Sequence, residues 1–403
     1  MKTFNLKSYL YLALLSFFFW SCSDDDATTP TVTENPVANF SFDAIVATAG
    51  ESITFTDTSV EGSGAITSWN WTFTGATPSS STEQNPTVIF NSKGDFSVSL
   101  SVTASDGATD NTSQNVLAIE GCAIYDCEKF LVDVQSNIQY GISSGAHRMN
   151  IYTPRGDLRP NKPTLLLNGG GQFNGSDLNV LIPLAERLAS YGFVVATATY
   201  RNTILDEDPN VSDWGTANLM RGMVDSKAAV RFLRANASSY DINPDQIFAG
   251  GWSSGAYNAL AQAYWQFEDI NPPALYDYVQ QWITGWDGIQ GNEGESSDVI
   301  GVVNLGGSIF GATEDFQDDL WITSSDVPMF AVHGTDDDVT PYGPIPLPTG
   351  NWEFGSSVIH NRLLDVGVAS TLYTIEGGVH ESPRLPENID NYIEDLVGFL
   401  SGV

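Results

Sequence analysis

The stretch Gln246-Ile247-Phe248-Ala249-Gly250-Gly251-Trp252-Ser253-Ser254-Gly255-Ala256-Tyr257-Asn258-Ala259-Leu260 holds three kinds of local structure in fifteen residues. Its first four residues form an apolar strand-like run. Residues 256–265 are rich in Ala and Leu and read as a helix. Between them stands Gly251-x-Ser253-x-Gly255. A Gly-x-Ser-x-Gly joining strand to helix is a nucleophile elbow. The turn is so sharp that Ser253 must sit in a strained backbone conformation, and neighbouring positions have no room for a Cβ. The helix that follows offers its positive end to an anionic intermediate. As a bare pattern the pentapeptide is equally a Gly/Ser-rich turn; its strand and helix neighbours give it weight.

On either side the same alternation continues. Apolar runs at 164–167, 193–198, 299–303 and 328–332 look buried on both faces. Helical patterns at 180–190 and 223–236 separate them. Continuous apolar strands with helical crossovers predict a mostly parallel sheet covered on both sides. The alternating run 148–154 arrives before any helix, which predicts an antiparallel start to that sheet.

A serine nucleophile needs a base, and the chain has only four His. His380, in Gly377-Gly378-Val379-His380-Glu381, follows the strand-like run 371–375 and precedes the last helix. The chain order Ser, acid, His fits His380 alone; His147, His333 and His360 read as packing residues. The orienting acid is expected in His333-Gly334-Thr335-Asp336-Asp337-Asp338-Val339-Thr340-Pro341, after the strand at 328–332. Three adjacent acids also suit a solvated loop. Asn168-Gly169-Gly170-Gly171-Gln172-Phe173 closes an early strand with unobstructed backbone N–H groups. A phosphate-binding loop is the alternative there, but no Gly-Lys-Ser/Thr follows.

Together with Ala196-Thr197-Ala198-Thr199-Tyr200-Arg201, with residues 225–236 and with Asn243-Pro244-Asp245-Gln246-Ile247, these words resemble the α/β-hydrolase carboxylesterases over about residues 130–400. The likeness extends to secreted esterases of the feruloyl and acetyl-xylan type and to hormone-sensitive-lipase-like esterases. It implies an α/β-hydrolase fold with Ser253 as nucleophile, His380 as base and Asp337, fifth in its His-Gly word, as orienting acid. Asp336 and Asp338 are its competitors, with Glu314 and Asp315 next in line. It also implies an oxyanion hole from the N–H groups of Gly170, Gly171 and Ser254. Lipases and esterases carry His-Gly-Gly-Gly at this point; Asn168 replaces the His, which leaves the bracing of the loop open. No metal or cofactor is called for. Residues 267–297, rich in Trp, Tyr and Gly, read as an insertion over the sheet. Trp282 and Trp286 suit a pocket wall and plain packing equally.

Residues 36–120 have a different rhythm. Ser52-Ile53-Thr54-Phe55-Thr56 and Phe96-Ser97-Val98-Ser99-Leu100-Ser101-Val102 alternate apolar and hydroxyl side chains, as half-buried strands do. No helical period intervenes, which predicts an antiparallel all-β sandwich. Pro36-Val37-Ala38-Asn39-Phe40, Phe55-Thr56-Asp57-Thr58-Ser59, Trp69-Asn70-Trp71-Thr72-Phe73 and Asn85-Pro86 with Gly94-Asp95-Phe96 resemble a PKD domain. That likeness implies an Ig-like spacer or binding module without catalysis, with carbohydrate or protein as its contact. Trp69 and Trp71 read as core rather than as a sugar platform. Residues 121–403 then form the hydrolase unit. At the junction stand Cys122 and Cys127, a plausible short-loop disulfide in an oxidising compartment.

Residues 1–21 pair basic Lys2 and Lys7 with the apolar run 9–20, too short to span a bilayer comfortably, and read as a signal peptide. Cys22 directly after it resembles the acylated Cys of a bacterial lipoprotein, and Ser23-Asp24-Asp25-Asp26 resembles the export signal of Bacteroidetes surface lipoproteins. Phe19 and Trp20 depart from the small residues usual before that Cys. Residues 22–35 read as a flexible tether. The expected location is extracytoplasmic, on the outer membrane or cell surface, with the lipid as the only membrane contact. The formal net charge is −33, from 16 Lys+Arg against 49 Asp+Glu. Such a surface repels phosphate backbones and argues against nucleic acid as a partner. The reading that emerges is a surface-anchored serine ester hydrolase acting on small acyl or polysaccharide-linked esters. A serine peptidase of the same fold and a non-catalytic binding lipoprotein are the alternatives.

Overall fold

The structure, a computed structural model, describes residues 33–143, 145–172, 176–201, 214–265, 288–311, 322–348 and 350–402. Cys22, the leader, most of the tether, Phe173, Trp282, Trp286, Glu314 and Asp315 lie outside the described residues.

Residues 33–119 form a β-sandwich. A four-stranded sheet (Phe40–Phe42, Ser52–Asp57, Thr87–Phe90, Ala76–Thr77) faces a five-stranded one built mainly on Ile66–Phe73, Gly94–Ala104 and Thr109–Ile119. The alternation in Gly94–Ala104 does what period 2 requires: Val98, Leu100 and Val102 are fully buried and the hydroxyls between them are not. Trp71 lies at the centre, with the ring of Phe40 5.2 Å away edge-on and that of Phe73 stacked at 5.7 Å. Trp69 is half-buried, and its indole N–H donates to Asp57 Oδ2 at 2.7 Å. Both tryptophans are tied into the sandwich.

The second unit is built on one eight-stranded sheet. Its strands are β1 (Leu131–Gln139), β2 (Arg148–Arg155), β3 (Lys162–Asn168), β4 (Val194–Ala198), β5 (Ile242–Trp252), β6 (Val302–Leu305), β7 (Met329–Gly334) and β8 (Ser370–Ile375), in the order β1-β2-β4-β3-β5-β6-β7-β8. β2 pairs antiparallel with β1 and β4, and every pair from β4 to β8 is parallel. Helices α1 (Ile182–Tyr191) and α5 (Pro386–Gly402) cover one face. Helices α2 (Trp214–Ala235), α3 (Ser254–Tyr264) and α4 (Ser356–Asp365) cover the other. β3 shows how the strands serve both layers. Leu165 and Leu167 pack with Leu184, Leu188 and Leu396, while Leu166 packs with Met223, Val224 and Leu260. A strand buried on both faces has no polar positions to alternate, which is why these runs are continuous in sequence.

Three features depart from the sequence reading. β1 is mostly exposed, so this edge strand carries no apolar pattern by which to find it. α2 begins at Trp214 rather than 223. Gly222 interrupts its sequence pattern for a packing reason: a Cβ there would lie 2.3 Å from Asn258 Oδ1, so the glycine lets α2 and α3 approach. A small sheet of Ile309–Gly311, Pro344–Pro346 and Trp352–Phe354 is too short and Pro-rich to read in advance.

The two units touch. Arg155 Nη1 lies 3.2 Å from Asp95 Oδ2, and Lys93 Nζ donates to the Glu128 carbonyl. Gly156 fits against Leu117 and Ile119, and Cys122 is disulfide-bonded to Cys127 at the junction. Among the described residues no helix is long and apolar enough to cross a membrane.

Candidate active site

β5 delivers Ser253 to the carboxyl edge of the sheet, where ligands of open α/β sheets bind. Its φ of 56° and ψ of −130° place it in a sparsely populated region, at a cost of about 1–3 kcal/mol for a non-glycine residue. The flanking glycines keep the turn possible. A Cβ on Gly255 would meet Asn168 O at 2.0 Å, and one on Gly251 would meet the Gly255 carbonyl carbon at 2.5 Å. The Ser253 N–H donates to Leu305 O at 3.0 Å, which fixes the elbow to β6.

His380 comes from the loop after β8. Its Nε2 lies 2.8 Å from Ser253 Oγ, and its Nδ1 lies 2.8 Å from Asp337 Oδ2. The sequence therefore brings Ser253, His380 and Asp337 together in one hydrogen-bonded line. Asp336 and Asp338, by contrast, are exposed, whereas the Asp337 side chain is fully buried. The N–H groups of Val339 and Thr340 donate to Asp337 Oδ1 at 2.9 and 2.8 Å, so the loop curls around that one carboxylate. Burial by itself would raise its pKa. Hydrogen bonds from His333, His380 and the two backbone N–H groups outweigh burial and hold the carboxyl well below the usual carboxylate range. It stays ionised wherever an imidazolium would need it.

The glycine loop lies against Ser253. A Cβ on Gly170 would come within 2.9 Å of Ser253 Cβ, and Gly171 adopts φ 155°. Among the described residues neither N–H group of Gly170 and Gly171 has a backbone partner. Ser254 opens α3 beside them. The bracing that the missing His left open comes from elsewhere. Tyr200 OH donates to Gly169 O at 3.0 Å and lies 2.9 Å from Ser254 Oγ. Burial pushes this phenol well above its ordinary pKa, so it remains a donor. Asn168 is fully buried and donates to Ser226 Oγ at 2.9 Å.

Three further residues contact His380 or Asp337, and a fourth backs one of them, without having been singled out by role. Thr340 Oγ1 lies 2.8 Å from His380 Nδ1 and 3.0 Å from Asp337 Oδ2. Trp252 donates its indole N–H to His380 O at 3.0 Å, and its ring lies 5.1 Å from the imidazole. Arg384 sits 4.5 Å over that indole. His333, read as a packing residue, also reaches Asp337 Oδ2, at 3.2 Å. No pattern in sequence marks such contacts, because they join residues far apart in the chain. The other two histidines stand apart: His147 is buried 3.1 Å from Asp225, and His360 meets Ser370 Oγ at 2.9 Å. Among the described residues no group of three or more His, Cys, Asp or Glu is placed to hold a metal.

Residues 33–119 match the PKD domain family, and residues 149–281 match the BD-FAE family. No curated protein matches the chain. Among solved structures the chain is similar to Thermogutta terrifontis esterase 2 phosphoramylated by tabun, with 17% identity over 67% of this chain and 94% of that one, at a TM-score of 0.49. It is similar to the butyrate-bound form of the Thermogutta terrifontis esterase, with 18% identity over 67% and 94% and a TM-score of 0.48. It is also similar to a truncated carbohydrate esterase from gut microbiota, with 18% identity over 67% and 97% and a TM-score of 0.47. The chain thus carries a PKD domain at residues 33–119, followed by a unit of α/β-hydrolase fold in which residues 149–281 match the BD-FAE family.

Proposed function

We propose that this protein is a serine carboxylic-ester hydrolase working through Ser253, His380 and Asp337, with Gly170, Gly171 and Ser254 supplying the oxyanion hole. The observation that carries the reading is the unbroken line from Ser253 Oγ through both ring nitrogens of His380 to Asp337, 2.8 Å at each step. Ser253 Oγ attacks the ester carbonyl carbon while His380 Nε2 takes its proton. The carbonyl oxygen becomes an oxyanion facing the backbone N–H groups of the glycine loop and of Ser254. Collapse of the tetrahedral intermediate breaks the bond to the alcohol oxygen, which receives the proton from His380. Water then attacks the acyl-serine by the same route and releases the acid. Asp337 keeps the Nδ1–H tautomer in place and offsets the imidazolium charge at each proton transfer.

The substrates proposed are small acyl esters, including those carried on polysaccharides, met outside the cell. The leader, Cys22 and its acidic flank support an acylated, surface-held protein, with the PKD unit as a spacer between anchor and catalytic domain. The test is a panel of p-nitrophenyl esters and acetylated or feruloylated xylan offered to the wild type and to Ser253→Ala. Turnover of short esters by the wild type and none by the variant is expected. Equal rates for the two proteins would reject the reading.

A further inference from the structure

Behind Asp337 lies a second histidine. His333, at the end of β7, is fully buried. Its Nε2 faces Asp337 Oδ2 at 3.2 Å and the Thr340 carbonyl at 3.3 Å. Both are acceptors, so Nε2 must carry a hydrogen. Its Nδ1 lies 2.7 Å from Ser356 Oγ, the first residue of α4. Ser356 Oγ in turn accepts from Asn304 Nδ2 at 3.0 Å, and Asn304 Oδ1 accepts from the Gly307 N–H at 2.8 Å. The other acceptor within reach of the Ser356 hydroxyl, Gly307 O, is 3.4 Å away, so the hydroxyl hydrogen belongs to His333 Nδ1. Ser356 and Asn304 are also fully buried. The polarity of the whole chain is thereby fixed: Asn304 to Ser356, Ser356 to His333, and His333 to Asp337. A neutral His333 with its hydrogen on Nε2 satisfies every member. A cationic one would leave the Ser356 hydroxyl only the Gly307 carbonyl, 3.4 Å away. The remaining ring near the imidazole is Tyr342, edge-on at 5.7 Å.

This arrangement asks more of Asp337 than the three-residue line does. One oxygen, Oδ2, faces two imidazoles and Thr340, while Oδ1 is held by two backbone N–H groups. We propose that His333 is a positioning residue of the catalytic site: as a neutral, tautomer-locked donor to Asp337 Oδ2, anchored through Ser356 and Asn304, it fixes the carboxylate on His380 and moderates how strongly it draws the His380 proton. The inference rests on the triad reading above. It also predicts a sign. Without the His333 donor, Oδ2 becomes a stronger acceptor for His380 Nδ1–H, the imidazolium is favoured, and the base becomes free only at higher pH.

The full chain carrying His333→Leu, His333→Gln and Ser356→Ala is compared with wild type on a p-nitrophenyl ester. Rates are counted per site titrated by a fluorophosphonate, and kcat is followed across pH. For His333→Leu we expect kcat per titrated site to fall roughly 10- to 100-fold with KM little changed, as for a misplaced catalytic group. The acid limb of its profile should move to higher pH. His333→Gln places an amide N–H near the lost Nε2–H and should recover most of the rate and the limb. Ser356→Ala leaves His333 but frees its tautomer; a smaller loss with the same direction of limb shift is expected, and this variant decides the matter if His333→Leu does not fold. A wild-type rate per titrated site, an unmoved acid limb, or a Gln variant as poor as Leu overturns the proposal. Failure of the triad reading itself would look different: the wild type would not be titrated, or Ser253→Ala would retain turnover.

Discussion

The two units of this chain bury different chemistry. In the PKD sandwich the buried side chains are apolar, Phe55, Trp71, Phe73, Phe90 and their neighbours. Among the described residues, every buried polar or charged side chain lies in the hydrolase unit, from His147 to Ser382. Burying a polar group costs free energy unless it is hydrogen-bonded, so most such groups in a core are paired. The sandwich is a scaffold held by aromatic packing. The hydrolase carries the same kind of apolar packing in two layers, with a connected polar seam along the carboxyl edge of its sheet. That seam runs from Asn304 through His333 and Asp337 to His380 and Ser253.

The comparison breaks first at Ser253. Ser253→Ala should leave circular dichroism and melting close to wild type and reduce ester turnover about 10⁴-fold or more, since one buried hydroxyl is exchanged for a methyl hydrogen while the attacking atom is lost. A variant keeping a tenth of the activity would mean that the seam is structural.

Next come the three adjacent acids, identical in type and different in burial. Asp337→Asn should lose on the order of 10³–10⁴-fold in kcat with the fold kept, because an amide favours the wrong imidazole tautomer. Asp336→Asn and Asp338→Asn, both at exposed positions, should change the rate only modestly. All three measured in one ester assay settle which residue the loop has been built around; a crippled neighbour beside a healthy Asp337→Asn would show that it curls around another carboxylate.

Tyr200 sharpens the comparison further. Its hydroxyl joins the glycine loop to the start of α3, through Gly169 O and Ser254 Oγ. Tyr200→Phe keeps the ring and removes that link. We expect kcat to drop by about 10-fold, less than the 10²–10³ that follows removal of an oxyanion donor itself. No change in kcat would mean that the loop is held by its own backbone.

The smallest effect is expected from removing the sandwich. A chain of residues 121–403 should hydrolyse small soluble esters at nearly the full-length rate, because Ser253, Asp337, His380 and the glycine loop all lie beyond residue 160. It should melt a few degrees lower, having lost the Arg155–Asp95 pair and the contacts of Gly156 with Leu117 and Ile119. A folded but inactive chain would place the PKD unit within the site. A loss confined to insoluble polysaccharide would give the sandwich a binding role instead.

How far the sequence could be read follows from the same division. Strands buried on both faces announce themselves as runs such as Leu165-Leu166-Leu167, and the sandwich announces itself by period 2. The elbow is legible because its glycines are forced by backbone contacts within a few residues and across to Asn168. Asp337 and His380 stood out through local words and chain order. What stayed hidden depends on contacts between distant segments. Tyr200 and Ser254 are 54 residues apart, and His333 and Ser356 are 23 apart. The exposed edge strand β1 and the Gly222 interruption in α2 were hidden for another reason: each satisfies a packing need that runs against its own local preference.

The central claim is that Ser253 is the nucleophile of an ester hydrolase. It is tested most directly by treating the full-length protein with a fluorophosphonate, measuring the adduct by intact mass, and locating it by peptide mapping while residual p-nitrophenyl ester turnover is followed. One adduct per chain on Ser253, with turnover falling in proportion to labelling, is the predicted result. An adduct on another residue, or full turnover with Ser253 labelled to completion, would contradict the account.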